Sequence, residues 1–179
     1  MLKLIGYAVL ALLLAAAALA SFAAFTKPDT FQIERRLVVK APPEKLWPLV
    51  SDLKAFHTWN PFGAKDPSAT VRFSAQTSGA GASYAWDGKV VGVGSMEMTE
   101  LQDQRLARFK LDFLKPFEAH NQGEFALSPT AGGTEVRWTM QGPAPLVSKI
   151  MDVVFNMDRM VGTDFEAGLA KLKTLAEQP

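Results

Sequence analysis

The chain has 179 residues, no cysteine, and 19 basic against 18 acidic residues, which gives a net charge of +1. This length fits one domain with a sizeable core. The two signs are interspersed, which excludes the basic surface of a nucleic-acid-binding protein, and the lack of cysteine excludes a disulfide framework.

The amino-terminal segment, residues 4–26, is apolar and carries no charge. At about 1.5 Å of rise per residue it spans about 35 Å, which exceeds the roughly 30 Å of a hydrocarbon layer. We therefore predict a membrane anchor over residues 1–26. A secretory signal is the alternative, with Lys3 as its charged start and cleavage after Ala18-Leu19-Ala20. A cleavable signal has a shorter apolar stretch of about 7–15 residues, which favours the anchor.

The side of the membrane that holds the soluble domain stays open. Lys3 is the basic side chain before the segment, whereas four basic side chains follow it closely: Lys27, Arg35, Arg36 and Lys40. Because basic residues favour the cytoplasmic side, this count favours a cytoplasmic domain. The likeness to a secretory signal favours export instead.

Residues 27–30 form a short polar linker, so the folded domain, residues 31–179, must sit close to the membrane. Residues 31–40 alternate apolar and polar side chains and predict a half-buried strand. A helix is predicted from Ala41-Pro42-Pro43-Glu44, because proline is tolerated and an acid is favoured in a first turn. A second short helix ends at Trp59-Asn60-Pro61-Phe62.

Six further strands follow, separated by turn residues such as Asp87-Gly88. They are predicted near residues 71–75, 84–86, 96–99, 107–113, 117–127 and 135–140. Regular alternation in each strand indicates an antiparallel sheet with one dry face and one wet face.

The last segment, Leu146 to Glu177, is predicted to be one long amphipathic helix, because apolar residues recur at steps of three and four. A single helix laid across a curved antiparallel sheet favours a cavity over a solid core. Gly162 and Gly168 lie inside its apolar stripe, where glycine weakens a helix. A close approach of another group, or a kink, would explain them.

Aromatic and methionine side chains with inward strand parity, or on the last helix, are the candidate ligand-binding residues. Such side chains suit a malleable apolar pocket, although they could equally pack a closed core. The candidates are Trp59, Tyr84, Trp86, Met96, Met98, Phe109, Phe113, Trp138, Met140, Met151, Phe155 and Met160.

Catalytic signatures are sparse. The chain has no nucleophile elbow, no phosphate-binding glycine loop and no HExxH motif, and two histidines without cysteine predict no transition-metal site and no cofactor. His120 falls on the polar strand face and is interpreted as a surface residue. His57, Tyr84 and Arg35 are the weak catalytic candidates. Arg35 has inward parity, and we interpret it as a strand-end residue that reaches solvent rather than as part of a cavity.

Several motifs together resemble the polyketide cyclase/dehydrase branch of the START-like (SRPBCC) superfamily. They are the strand before Ala-Pro-Pro-Glu, Trp59-Asn60-Pro61, Asp66-Pro67, the glycines around Gly94-Ser95-Met96, and the closing pattern from Met157-Asp158 to Leu172-Lys173. The resemblance implies an α+β helix-grip fold, in which an antiparallel sheet of about seven strands wraps a long C-terminal helix around a hydrophobic cavity. It also implies a bacterial-type cytoplasmic membrane with a single-pass anchor.

The leading hypothesis is a membrane-tethered module that binds a small hydrophobic ligand, either a lipid or an apolar metabolite. The alternative is a cyclase or dehydrase that acts on a substrate in the same cavity through His57, Tyr84 or Arg35. The superfamily hosts carriers, receptors and enzymes, so the fold does not decide between them. A third hypothesis is an apolar groove that grips a partner protein.

Overall fold

The computed structural model describes residues 1–178, without the side chain of Leu2. An amino-terminal helix, α1 (Leu2–Thr26), precedes strand β1 (Thr30–Val39). Three short helices follow: α2 (Pro43–Ser51), α3 (Leu53–Trp59) and α4 (Pro61–Lys65). The remaining strands are β2 (Thr70–Phe73), β3 (Ser83–Gly88), β4 (Gly92–Gln102), β5 (Leu106–Lys115), β6 (Ala119–Thr130) and β7 (Gly133–Pro143). Two helices, α5 (Leu146–Phe155) and α6 (Met157–Ala176), complete the chain.

The seven strands form one antiparallel sheet in the order β1-β7-β6-β5-β4-β3-β2. This architecture confirms the predicted α+β helix-grip fold. The start of β1 at Thr30 pairs with the end of β7 at Pro143. The β3–β4 turn (89–91) and the β5–β6 turn (116–118) lie at this same end of the sheet. We call it the anchor edge after the predicted anchor, α1, which ends only a few residues before β1.

One face of the sheet is dry and carries the core. Helix α6 packs mainly along β1, and the ring of Phe165 stacks on that of Trp138 with 3.9 Å between centroids and 5° between planes. Phe56 and Trp59 of α3 add edge-to-face contacts to the same aromatic cluster. Such pairs contribute about 0.5–1.5 kcal/mol beyond the apolar area that they bury. We call this face the inner face.

The carboxyl-terminal segment is two helices, so the prediction of one continuous helix from Leu146 to Glu177 was wrong. Asn156 separates α5 from α6 with φ 51° and ψ 79°, in the left-handed region. Asparagine tolerates that region better than most residues. Its Oδ1 accepts a hydrogen bond from the Arg159 backbone N–H at 3.0 Å and caps α6. The apolar stripe alone did not reveal the break, because the stripe continues on both sides of it.

The two glycines of α6 are explained by close approach. A Cβ on Gly162 would lie 1.9 Å from a nitrogen of the Arg35 guanidinium. A Cβ on Gly168 would lie 2.9 Å from the Trp138 ring and 3.0 Å from Pro61. Each glycine therefore allows α6 to pack closely against a neighbouring side chain, Arg35 at Gly162 and Trp138 at Gly168.

Helix α1 was predicted correctly as a helix that ends before Lys27-Pro28. It is long and apolar enough to cross a membrane over Lys3–Thr26. Its carboxyl-terminal end packs against α5, where Ala23 is fully buried. Two ion pairs continue this contact, Lys27 with Asp152 at 2.7 Å and Lys149 with Asp29 at 2.6 Å.

Candidate functional site

The strand register arranges the inner face into transverse rows. The first row from the anchor edge contains Val71, Trp86, Gly94, Phe113 and Ala119, which are cross-strand neighbours on β2 to β6. The second row contains Phe73, Tyr84, Met96, Leu111 and Asn121, and continues through Gly142 of β7 and Phe31 of β1. A third row contains Met98, Phe109, Gly123, Met140 and Ile33.

Burial changes along these rows. In the third row all residues but Met140 are buried, whereas the apolar side chains of the first row are only half-buried. The second row is mixed: Tyr84 and Met96 are buried, and Phe31, Phe73 and Leu111 are half-buried. The inner face is therefore closed at the far end and partly open toward the anchor edge. We call the first two rows the open end of the inner face.

Aromatic rings dominate the open end. Ring centroids lie 5.7 Å apart for Phe73 and Tyr84, 5.5 Å for Tyr84 and Trp86, and 5.7 Å for Trp86 and Phe113. They form a continuous apolar strip across β2 to β5, and α6 makes its main strand contacts with β1 instead. An apolar molecule placed on this strip would remove aromatic surface from water, which is worth about 25 cal/mol per Å² of apolar area.

Glycines within the strands make room for aromatic rings of the inner face. A Cβ on Gly94 would lie 2.4 Å from the Trp86 ring, and a Cβ on Gly123 would lie 2.2 Å from the Phe109 ring. Glycine inside a strand commonly marks such a close approach. That signal was present in the sequence, and it would have located these two close approaches on β4 and β6.

The structure separates the twelve predicted ligand-binding residues into three groups. Buried in the core are Trp59, Tyr84, Met96, Met98, Phe109 and Trp138. Half-buried are Trp86, Phe113, Met140 and Met151. Exposed are Phe155 and Met160, at 56% and 47%. The break at Asn156 changes the direction of the chain between these last two, and neither belongs to the open end.

The far end of the inner face is filled by its own side chains. Two open grooves, of about 600 and 520 Å³, lie elsewhere: one on the polar outer face of the sheet and one beside the end of β6. Gln32, Glu34, Lys110, Gln122 and Thr139 are among the residues that line the larger groove. A spacious cavity under α6 was expected from the helix-over-sheet order, but the rings of Trp138, Phe165 and Phe125 pack there.

Polar groups reach the open end at one side. Asn60 caps α4 through its Oδ1, and its Nδ2 donates to the Tyr84 hydroxyl at 3.4 Å. Burial raises the pKa of the Tyr84 phenol, and the hydrogen bond from Asn60 opposes that rise. Tyr84 is therefore a neutral phenol that can donate or accept a hydrogen bond. His57 stacks edge-on against Phe73, and its Nδ1 is buried without a hydrogen-bond partner within residues 1–178.

A second polar group, Asn121, was not predicted. It lies in the second row and is 93% buried, since its exposed fraction is 7%. Its Oδ1 has no hydrogen-bond partner among the described residues, and it lies where a side chain at Gly142 would be. A buried polar atom without a partner costs about 1–3 kcal/mol. Strand parity placed Asn121 inward, and an asparagine among inward apolar residues was the available signal.

Arg35 lies in the middle of β1 and is half-buried, so its interpretation as a strand-end residue was wrong. Its Nε donates to the Glu166 carboxylate at 2.7 Å, and its Nη1 and Nη2 donate to the Asp158 carboxylate at 3.1 Å. These bonds, first that to Asp158 and then that to Glu166, raise the pKa of the guanidinium. Arg35 links α6 to β1, and each nitrogen of its guanidinium donates at least one hydrogen bond. The other catalytic candidates, His57 and Tyr84, have ring centroids 6.4 Å apart.

His120 lies on the polar face, as predicted. Its ring nitrogens contact Asp112 at 2.7 Å and Glu118 at 3.3 Å, and these contacts raise the pKa of the imidazole. The two carboxylates bind opposite ring nitrogens, so they do not converge on one point. Within residues 1–178 no three His, Asp or Glu side chains come together as metal ligands.

Solved structures share this fold at low sequence identity. Protein CV1439 from Chromobacterium violaceum superposes with a TM-score of 0.59 at 18% identity, over 85% of this chain and 100% of that one. The di-domain ARO/CYC StfQ of the steffimycin biosynthetic pathway gives 0.61 at 12%, over 83% of this chain and 51% of that one. The Aha1 dimer from Colwellia psychrerythraea gives 0.59 at 17%, over 82% and 96%. At these identities the likeness shows the fold alone.

No curated protein matches the chain. The sequence model of one family, described as polyketide cyclase / dehydrase and lipid transport, matches residues 30–177, from the start of β1 to the end of α6. The match covers nearly all of the part of the chain that follows α1. The chain belongs to the polyketide cyclase/dehydrase and lipid transport family.

Proposed function

We propose that this protein is a membrane-tethered module that binds a lipid or another small apolar molecule at the open end of its inner face. The observation that carries the proposal is the half-buried aromatic strip from Phe73 through Trp86 to Phe113. Soluble proteins usually cover such side chains, and an apolar strip that is only partly covered favours a binding site. The family description, which includes lipid transport, supports the same reading.

The polar atoms around the strip favour a ligand with one polar group. Asn121 Oδ1 lies on β6, and the Tyr84 hydroxyl lies on β3, with β4 and β5 between those two strands. A ligand hydroxyl or amide could donate to Asn121 and remove the penalty of its unpaired oxygen. Fatty alcohols, acylated amines and hydroxylated aromatic molecules meet this description. The site contains no cationic side chain among these residues, so a carboxylate would gain less.

Helix α1 supplies the tether in this proposal. Its apolar length suits a hydrocarbon layer of about 30 Å. The ion pair of Lys27 with Asp152 ties its end directly to the folded domain, so that the domain would stand on the membrane surface. A ligand that partitions into lipid would then have a short path to the open end.

Retention of a ligand tests the proposal. The full chain is extracted from membranes in mild detergent and examined by native mass spectrometry, with and without an added fatty alcohol. We expect a bound apolar molecule in the natural protein and its loss from the Trp86→Ala, Phe113→Ala double variant. Trp47→Ala is the matched control, because Trp47 is also half-buried but lies on α2. Absent binding, or equal binding in all three proteins, would refute the proposal.

A cyclase or dehydrase is the second candidate, and the buried Tyr84 hydroxyl is the observation that favours it. A neutral phenol beside Asn60 could donate a proton to a developing enolate, with His57 nearby. Turnover of a linear polyketide analogue by the natural protein, lost in Tyr84→Phe while ligand retention persists, would establish it. If the analogue is unchanged after incubation with the natural protein, the cyclase or dehydrase activity is refuted.

A further inference from the structure

The exposed apolar side chains outside α1 are concentrated at the anchor edge. In residues 27–178, the large apolar side chains that are exposed are Val38, Val90, Leu114, Phe117, Leu146, Val147, Val154, Phe155 and Met160. All of them except Val38 lie in the β3–β4 turn, in or beside the β5–β6 turn, on α5, or in the first turn of α6. Single apolar residues scattered over a protein surface need no explanation. Their concentration at one end of a sheet does need one.

Three separate segments bring these residues together. The two hairpin turns project Val90 and Phe117, which are 71% and 62% exposed. Helix α5 follows β7 directly, and the backbone N–H of Ala144 donates to the Asp29 carbonyl at 2.7 Å, which fixes the start of α5 beside the linker. The start of β1, the end of β7 and both turns lie at the same end of the sheet, so these segments share one end of the domain with the exit of α1.

We infer that the anchor edge is a membrane-docking surface, in which α5 and the two hairpin turns insert their apolar side chains into the bilayer that α1 spans. The inference rests on the tether of the proposed function. Its occupant is the lipid surface itself, because α1 enters the membrane at this edge and α5 is fastened to α1 by the Lys27–Asp152 pair. An amphipathic helix beside a membrane span is well suited to lie in the interface.

Apolar contact rather than charge attraction would hold this surface in place. The turns carry Lys89 and Lys115, but Asp87 and Glu118 lie beside them. The charges of the two turns therefore balance. Docking should occur on uncharged phosphatidylcholine and should resist salt, because screening weakens charge attraction and leaves apolar burial unchanged.

Docking at this edge would bring the ligand site to the lipid. Phe113 and Trp86 of the first row lie a few residues from the inserted turns. An apolar molecule could pass from the bilayer along the turns to the aromatic strip without crossing water.

Single spin labels test the inference on the full chain, which contains no cysteine of its own. The variants Val90→Cys, Phe117→Cys and Val147→Cys probe the anchor edge, and Leu12→Cys probes α1. Val38→Cys is the matched control, since Val38 is an exposed valine at the opposite end of β1. Each labelled protein is reconstituted into phosphatidylcholine vesicles, and its accessibility to oxygen is compared with that to a water-soluble nickel chelate.

We expect the ratio of oxygen accessibility to nickel-chelate accessibility at positions 90, 117 and 147 to be at least three times the ratio at position 38. If the label at position 12 lies in lipid while the three edge labels behave like that at position 38, docking is wrong and the tether stands. If the label at position 12 is also in water, the tether of the proposed function fails. Edge labels shielded from both reagents would mean that protein covers this edge, which also overturns the inference.

Discussion

The guanidinium of Arg35 occupies the space in which a side chain at Gly162 would lie, 1.9 Å from where its Cβ would be. This contact fixes the height of α6 above β1. The arginine is inward-facing but is not available to a ligand, because Asp158 and Glu166 hold it.

The Arg35–Gly162 contact predicts a strong coupling between the two positions. Gly162→Ala in the Arg35→Ala background should stabilise the protein by about 1 kcal/mol, the usual gain of alanine over glycine in a helix. In the natural background the same change should displace the guanidinium and lose that gain. A double-mutant cycle by urea unfolding in detergent should give a coupling of about 1–2 kcal/mol. Additive effects would contradict the contact.

Gly168 should tolerate alanine poorly, because its neighbours are rigid. The Trp138 ring and Pro61 lie 2.9 and 3.0 Å from the position that a Cβ would take, and they cannot swing away as the Arg35 side chain can. Overpacking typically costs about 1–3 kcal/mol. We expect Gly168→Ala to lower the free energy of unfolding by about 1 kcal/mol after the helix gain is subtracted. Gly162→Ala in the Arg35→Ala background is its control, and equal stabilisation by both changes would argue against tight packing at Gly168.

Asn156 should be needed for the break between α5 and α6. Alanine strains the left-handed backbone by about 1–2 kcal/mol and removes the cap of α6, worth about 1 kcal/mol. Glycine removes only the cap, and aspartate keeps a capping oxygen. The expected order of thermal stability is Asn156 and Asn156→Asp, then Asn156→Gly, then Asn156→Ala. An Asn156→Ala protein as stable as the natural one would indicate a continuous helix.

Stability in acid should depend on Asp66. Its carboxylate accepts hydrogen bonds from the backbone N–H groups of Val90 and Val91 and from Ser68, and the bond from Val90 does most to lower its pKa. Because the pKa of Asp66 is lower in the folded state, its carboxylate stabilises the protein at pH values above the unfolded-state pKa of about 3.9. This contribution is lost as the pH falls through the folded-state pKa.

Melting curves between about pH 6 and about pH 2.5 measure this effect, because the contribution of Asp66 falls as the pH drops below the unfolded-state pKa. The melting temperature of Asp66→Asn should fall less across that range than that of the natural protein, because the variant lacks the carboxylate of Asp66. Asp103→Asn, on the exposed turn after β4, is the matched control for the removal of one carboxylate. An Asp66→Asn profile parallel to the natural one would remove Asp66 from the acid transition.

Periodicity and turn residues were sufficient to predict the strands, α1 and the dry inner face. They failed at Asn156, because one left-handed residue interrupts a helix without disturbing the apolar stripe on either side. They failed at Arg35, because its partners Asp158 and Glu166 lie 123 and 131 positions away in the chain. The open end was also beyond prediction, since parity distinguishes inward from outward residues and does not show where α6 stops covering the sheet.

Binding of an apolar ligand at the open end of the inner face is tested most directly by photo-crosslinking. The full chain in vesicles is irradiated with a fatty alcohol that carries a diazirine, and the modified peptides are mapped. We expect adducts on β3 and β5 around Trp86, Leu111 and Phe113, reduced by an excess of unlabelled alcohol. Adducts confined to α1 and α5, or spread over the outer face of the sheet, would contradict binding at the open end.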